Sequence, residues 1–241
     1  MLKLYGHYGS QPFRSVAWLL KMKREPFEFI SINPMKGDNR TKDYRSKFPL
    51  GLIPAIEDHY DGKTIALSEA SAILMYLCDK NKWNDMYPSD IQRRALINEY
   101  ISHHNESSRL MTLKIIRPGL KQLFAAEGSL SPGVTHSLSN SPADLIKLKS
   151  TIRDVAKRFQ HKFLVNSRGS YDFIVGDDPT IADLLAYPEL AQIQQILGVD
   201  YGEWPELEEL RMWLKRMAEL PCHDDVHRTP TKLGKLYQSK L

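Results

Sequence analysis

The sequence predicts a mixed α/β domain over residues 1–82 followed by an all-helical domain over residues 89–241. Three observations predict it. Strand-like and helix-like runs alternate through the first part of the chain. Between Leu52 and Leu77, two short apolar runs flank a turn at Asp61-Gly62 and lead directly into a helix start, which describes a hairpin feeding a helix. Beyond the break at Trp83–Pro88, every periodic segment has helical spacing.

Taken in order, Leu2–Tyr5 reads as a strand and Gly6–Gly9 as a polar turn. Pro12 falls at the position where a helix best tolerates proline, and Phe13, Val16, Ala17 and Leu20 recur at helical spacing, so a helix starts at Ser10 or Gln11. Phe27–Ile32 is a second strand and Asp38–Lys47 a short polar helix. Leu52–Ile56 and Thr64–Leu67 form the hairpin, and Ser68-Glu69-Ala70-Ser71 opens the next helix. The order β-α-β-α-β-β-α is the thioredoxin-like arrangement. In the second domain, Ser89-Asp90 caps a long helix running to Ile116, where Pro118-Gly119 stops it. Glu127–Ser141 is a loop. Helices follow from Ala143 to Val165, Thr180 to Leu197, Pro205 to Leu220 and Thr231 to Tyr237. Thr180 with Asp183 three residues later is a capping-box variant, which assigns Asp183 to structure rather than catalysis.

Composition narrows the function classes. With 42% hydrophobic and 26% charged residues the chain has the profile of a soluble globular protein. A net charge of +4 is too small to argue for nucleic acid, although residues 1–50 hold ten Lys/Arg against four Asp/Glu, which suits a small anionic ligand. No uncharged apolar run approaches the roughly 20 residues that span a bilayer. Lys3 and His7 leave no room for a signal-peptide core. Cys78 and Cys222 form no disulfide framework, consistent with a reducing compartment. Cys222, His223 and His227 have ligand-like spacing, but zinc takes a fourth partner and none is nearby in sequence, so no metal is expected.

Two places carry the candidate chemistry. Proline at 54 can hold a cis bond and withholds a donor from the ladder, which frees the neighbouring backbone to bind an extended peptide. The helix start at Glu69-Ala70 offers unpaired N–H groups and a positive dipole end to a carboxylate or phosphate. Ser10 is the other candidate. A thiol with a pKa of about 8.5 is only a few per cent thiolate at neutral pH, and a hydroxyl donating at a helix N-terminus favours the anion. The alternative is that Ser10 only caps the helix, and Tyr5 and Tyr8 are rival hydroxyls.

Together, Ile53-Pro54, Glu69 near Ser68 and Ser71, and the run Ser10-Gln11-Pro12-Phe13-Arg14 resemble the glutathione transferase family. The Ser-Gln-Pro-x-Arg run is similar to the signature of its theta class, and Gly176–Leu184 to the family's buried capping motif. The resemblance implies a thioredoxin-like glutathione-binding domain with a helical domain behind it. It makes Ser10 the residue that stabilises the glutathione thiolate. By position it implies glutathione contacts for Gln11, Asn39, Arg40, Leu52, Ile53, Pro54, Glu69 and Ala70, and for Asn98 across a dimer. His104 and Arg109 would line the second-substrate pocket. The chain departs from the pattern in having Leu52 where lysine is common, Ala70 where a hydroxyl is usual, and neutral Asn98, with Glu99 the nearest acid.

The implied activity is conjugation of glutathione to a small apolar electrophile, or reduction of an organic hydroperoxide, with glutathione as co-substrate and no further cofactor. The alternative is a non-catalytic protein of the same fold that binds glutathione or an apolar ligand, a reading that Leu52 and Ala70 favour. A homodimer is implied as well. Ser239-Lys240-Leu241 matches the tripeptide read by the peroxisomal import receptor, with cytoplasm as the alternative address.

Overall fold

The structure, a computed structural model, describes residues 1–116, 142–166 and 169–238. The helix stop at Pro118-Gly119, the loop over Glu127–Ser141 and the tripeptide Ser239–Leu241 lie outside the described residues.

The first half follows the expected order. Strand β1 (Leu2–Gly6) leads to helix α1 (Gln11–Met22), then to β2 (Phe27–Ser31), a single 3₁₀ turn at Asp38–Arg40 and the short α2 (Lys42–Lys47), capped by Thr41. The hairpin β3 (Ala55–Tyr60) and β4 (Lys63–Ser68) then feeds α3 (Ala70–Asn81). The sheet order is β2-β1-β3-β4, with β1 parallel to β2 and antiparallel to β3. Strand β3 begins three residues later than Leu52. Proline has no N–H to give, so the ladder opens only at Ala55, opposite Ser68 and Tyr5; the Ile53-Pro54 bond before it is cis.

In the second half, α4 spans Ile91–His103, capped by the Asp90 side chain. It does not run on to Ile116. Beyond it lie a 3₁₀ turn at His104–Glu106 and wide π-type turns at Met111–Ile116. The cause is local: the Ser107 hydroxyl donates to the His103 carbonyl at 3.0 Å, the acceptor that the next helical N–H would need, and the Ser107 N–H turns to His104 instead. Helix α5 (Pro142–Phe159) ends in π-type turns over Gln160–Leu164, and a two-residue ladder, β5 (Val165–Asn166) with β6 (Gly169–Ser170), interrupts the otherwise helical half. Helix α6 (Ile181–Gln192) opens on a complete capping box between Thr180 and Asp183. It is followed by α7 (Glu208–Ala218) and α8 (His223–Gln238). Helix α8 starts eight residues before Thr231 and carries Pro230 inside it.

One apolar core joins both halves. It contains Leu4, Trp18 and Leu74 from the first and Ile181, Leu190 and Trp213 from the second. A small second cluster of Tyr5, Tyr44, Phe48 and Ala55 packs separately. Helix α1 sits tightly on β1 because residue 6 is glycine: a Cβ there would lie 2.2 Å from the Phe13 ring. That contact fixes where the first turn of α1, and Ser10 before it, can stand.

Candidate active site

Ser10 is the N-cap of α1, half-buried, with extended backbone (φ −83°, ψ 127°). Its carbonyl accepts the first helical bond from Arg14 at 3.1 Å, yet its hydroxyl caps no N–H of the helix. The hydroxyl therefore stands at a positive helix end without the duty a capping serine normally has. The loop before it is clamped by Arg14. Fully buried, this guanidinium donates to the Tyr8 carbonyl (3.0 Å), the Gly9 carbonyl (3.3 Å) and the Pro188 carbonyl of α6 (3.3 Å). Burial lowers its pKa to about 10, with Glu189 opposing the shift, so Arg14 stays charged at neutral pH. The rival hydroxyls are placed differently. Tyr5 donates to Glu57, and burial and that carboxylate raise its pKa. Tyr8 packs edge-on against Phe13 and Phe29, and burial raises its pKa too.

A cavity of about 130 Å³ brings the other candidates together. Pro12, two residues after Ser10, lies in its wall with Leu52, Ile53, Pro54, Glu69 and Ala70, and across from them stand His104, Asn105 and Arg109. Ile53 lies outside both strand ladders, so its backbone groups are available to an extended ligand. Glu69 is held at φ +74°, a conformation that a non-glycine residue adopts only when its surroundings enforce it, and its exposed carboxylate makes no cap on α3. The N–H groups of Ala70 and Ser71 open α3 on the cavity wall.

Among the described residues, three of four further candidate side chains are engaged within the chain and Arg40 is not. The Gln11 amide donates to Gln192 of α6, so it faces the domain junction. The Asn39 amide donates to the Gly51 carbonyl at 2.7 Å, and its buried Oδ1 has no partner among the described residues. Arg40 is exposed on the 3₁₀ turn. Asn98 accepts from the Tyr87 hydroxyl at 2.9 Å within its own chain.

On the second-substrate side, His104 is buried with the Tyr100 and Ser108 hydroxyls at 3.0 and 3.2 Å from Nδ1. Burial and the Arg109 charge push its pKa down to about 3, which leaves a neutral imidazole in the wall. Arg109 donates to the Glu189 carboxylate at 2.6 Å. Glu189 is fully buried, and burial raises its pKa while Arg109 and Thr112 hold it down. Glu189 and Gln192 are absent from the sequence-based candidates, although both stand as polar residues three apart in a mostly apolar helical run, and the structure buries every residue of that helix.

Other weighed positions resolve as packing. Asp183 is fully buried and accepts from the Ile174 and Thr180 N–H groups, the Thr180 hydroxyl and the Trp213 indole. His223 and His227 stack on each other 4.7 Å apart and pack against Trp18 and Tyr187. Cys78 is buried, and desolvation pushes its thiol up to about 12. Among the described residues no helix is long and apolar enough to cross a membrane.

Comparison with known proteins identifies the family and the fold. Residues 4–84 match the family model "Glutathione S-transferase, N-terminal domain", and residues 133–221 match "Glutathione S-transferase, C-terminal domain". The chain is 33% identical over 193 residues to glutathione S-transferase theta-2 of Homo sapiens, covering 79% of this chain and 71% of that protein. It is 27% identical over 232 residues to glutathione S-transferase T2 of Arabidopsis thaliana, covering 94% of this chain and 36% of that protein. Among solved structures it is similar to human glutathione transferase theta-2 in complex with glutathione and an unknown ligand, with a TM-score of 0.79 and 28% identity over 100% of this chain and 91% of that one. A serine at a helix start, a cis-proline loop and an acid before a third helix thus sit on the matching fold, and the chain belongs to the theta class of the glutathione S-transferase family, a family of enzymes.

Proposed function

We propose that the Ser10 hydroxyl donates a hydrogen bond to the sulfur of bound glutathione, holds it as the thiolate, and stabilises it during attack on a small apolar electrophile or an organic hydroperoxide. The observation that carries this reading is the Ser10 side chain, which stands at the N-terminus of α1 and caps nothing there. Serine is too weakly acidic to take the thiol proton itself; it contributes a fixed donor whose bond to sulfur is stronger when sulfur is charged. In conjugation, sulfur bonds to the electrophilic carbon and the leaving group departs with its electron pair. In peroxide reduction, sulfur takes the terminal oxygen to give a sulfenic acid and an alcohol, and a second glutathione forms the disulfide with release of water.

Glutathione would lie along Ile53-Pro54 with a carboxylate at the start of α3, and Glu69 would meet its ammonium group. Arg40 on its exposed turn would meet the other carboxylate. The opposite wall, His104 and Arg109, would receive the second substrate. The rival reading, a binder without turnover, rests on Leu52, which is 46% exposed and offers no charge, and on Ala70, which offers no hydroxyl. A turnover panel with a cumene-type hydroperoxide and several aryl and alkyl electrophiles separates the two. Glutathione binding in calorimetry with no turnover across that panel would establish the binder.

We also propose a homodimer, and a peroxisomal address carried by Ser239-Lys240-Leu241. The address fits a peroxide-reducing role, since peroxisomes generate peroxides. A fluorescent protein fused to the amino terminus should give punctate signal that is lost on deleting the three residues; diffuse signal from the full-length fusion would sink the proposal.

A further inference from the structure

Two buried side chains of α6, Glu189 and Gln192, have no part in the mechanism just described, yet both lie on the line between its two halves. A carboxylate in an apolar helix is strongly unfavourable unless it is paired and hydrogen-bonded. Glu189 is both. Arg109 donates to its Oε1 at 2.6 Å, and Thr112 donates to its Oε2. The Gln192 amide nitrogen donates in turn to the Thr112 hydroxyl oxygen and also contacts Glu189, at 3.1 Å to the carbonyl and 3.3 Å to Oε2. The Gln192 amide oxygen accepts from Gln11, the first residue of α1.

Chemistry fixes the direction of every link. A carboxylate only accepts, so the Thr112 hydroxyl must donate to it. That hydroxyl can then only accept from Gln192, whose carbonyl oxygen is left for the Gln11 amide. All donors therefore point the same way, from Gln11 through Gln192 and Thr112 to Glu189, and Arg109 closes the chain from the cavity side. Each bond in such a buried, one-directional chain polarises the next, and a break at any link leaves polar groups unsatisfied on both sides.

We propose that Glu189 and Gln192 are positioning residues that lock the two half-sites to each other: through Gln11 they hold the first turn of α1 behind Ser10, and through Thr112 and the Glu189 carboxylate they hold Arg109 against the second-substrate wall. The proposal rests on the serine reading for what Ser10 does, and adds that its placement depends on groups in the helical domain.

Thr112 is the link to cut, because it touches neither half-site. Thr112→Val removes the hydroxyl with little change in volume, and Thr112→Ser keeps it. The readouts are the pH titration of bound glutathione, followed by its ultraviolet thiolate absorbance, and KM and kcat for the electrophile. Thr112→Val should lower the thiolate fraction and raise the electrophile KM together, each by about fivefold, and Thr112→Ser should restore both. A valine variant that alters the electrophile KM alone, or a serine variant as impaired as the valine one, overturns the coupling and leaves Thr112 as packing. Should Thr112→Val fail to fold, Glu189→Gln carries the test. It keeps the side-chain shape, offers a donor where the relay needs an acceptor, and should produce the same joint change; wild-type values for both readouts overturn the proposal. Failure of the serine reading is a separate result, in which Ser10→Ala leaves the thiolate titration where it is.

Discussion

A thiolate is favoured at one end of a helix by donors that are already in place and need not reorganise when charge appears on sulfur. Ser10 has that position, and the Arg14 clamp on the Tyr8 and Gly9 carbonyls keeps the preceding loop from moving it. Ser10→Ala is therefore expected to lower turnover by about 10²-fold while glutathione affinity changes much less, as steady-state kinetics beside calorimetry would read; unchanged turnover would transfer the role to Tyr8 or a bound water. Ala70, 5% exposed, lies in the cavity wall at the first position of α3. Ala70→Ser adds one donor where a glutathione carboxylate would lie, and a bond to a charged acceptor contributes about 1.5 to 3 kcal/mol at best. Calorimetry showing no tighter binding would place the ligand away from this helix end. The helix start behind Ser10, the ladder that opens after Pro54 and the helix start behind Glu69 were legible in the sequence because each obeys a local rule: a proline in a first helical turn, a proline before a strand, a polar helix start. The engagement of Gln11 by Gln192 and of Arg109 by Glu189 was not legible, since those partners stand 181 and 80 residues apart in the chain.

At the scale of elements, α8 shows how packing overrides a local stop signal. The sequence places this helix start at Thr231, directly after Pro230, but His223 and His227, one turn apart, dock on Trp18 of α1 and Tyr187 of α6 and the helix runs through the proline. The same limit explains α4, whose apolar spacing runs past His103 although Ser107 unhooks the helix there. His227 has no partner for either ring nitrogen among the described residues, and its pKa is held well below the ordinary value by burial, then by the Arg14 charge and by His223. The groups facing it are Arg14 and Trp18 from α1, Tyr187 from α6 and His223 on its own helix. Below a pH of about 6.5 the unfolded chain protonates this histidine while the folded chain does not, so stability is lost as pH falls, by about 1.4 kcal/mol per pH unit for each such group. His104, with its pKa at about 3, acts in the same sense over the window from about 6.5 down to its folded value. His227→Phe keeps an aromatic ring in the cluster and removes two unsatisfied nitrogens, so it should stabilise the fold by about 1 kcal/mol or more. The gain should grow between pH 7 and pH 5 in urea unfolding. A difference from wild type that is the same at both pH values would show that His227 already binds its proton in the folded state.

At the scale of the molecule, Arg94 ties α4 to α3 and to the segment between them. Arg94 of α4 pairs with Asp79 of α3 at 3.0 Å, stacks over the Tyr87 ring and donates to the Pro88 carbonyl between them. A C₂ dimer is the commonest way for two copies to close, with the same face presented by each. Strand β4 leaves an open edge with Ile65 exposed, and Ile91 at the start of α4 is 80% exposed, the highest value among the large hydrophobic side chains described. Burying such groups against a second copy removes apolar surface from water at about 25 cal/mol per Å². The expected mass by light scattering at micromolar concentration is twice 27.7 kDa. Ile91→Glu should weaken the dimer by at least about tenfold if that side chain is central to the interface. A monomeric wild-type mass would remove the dimer, and with it any role for Asn98 or Glu99 toward a neighbouring site. A dimer untouched by Ile91→Glu would instead move the interface away from the start of α4, toward the open edge of β4 and the face of α3.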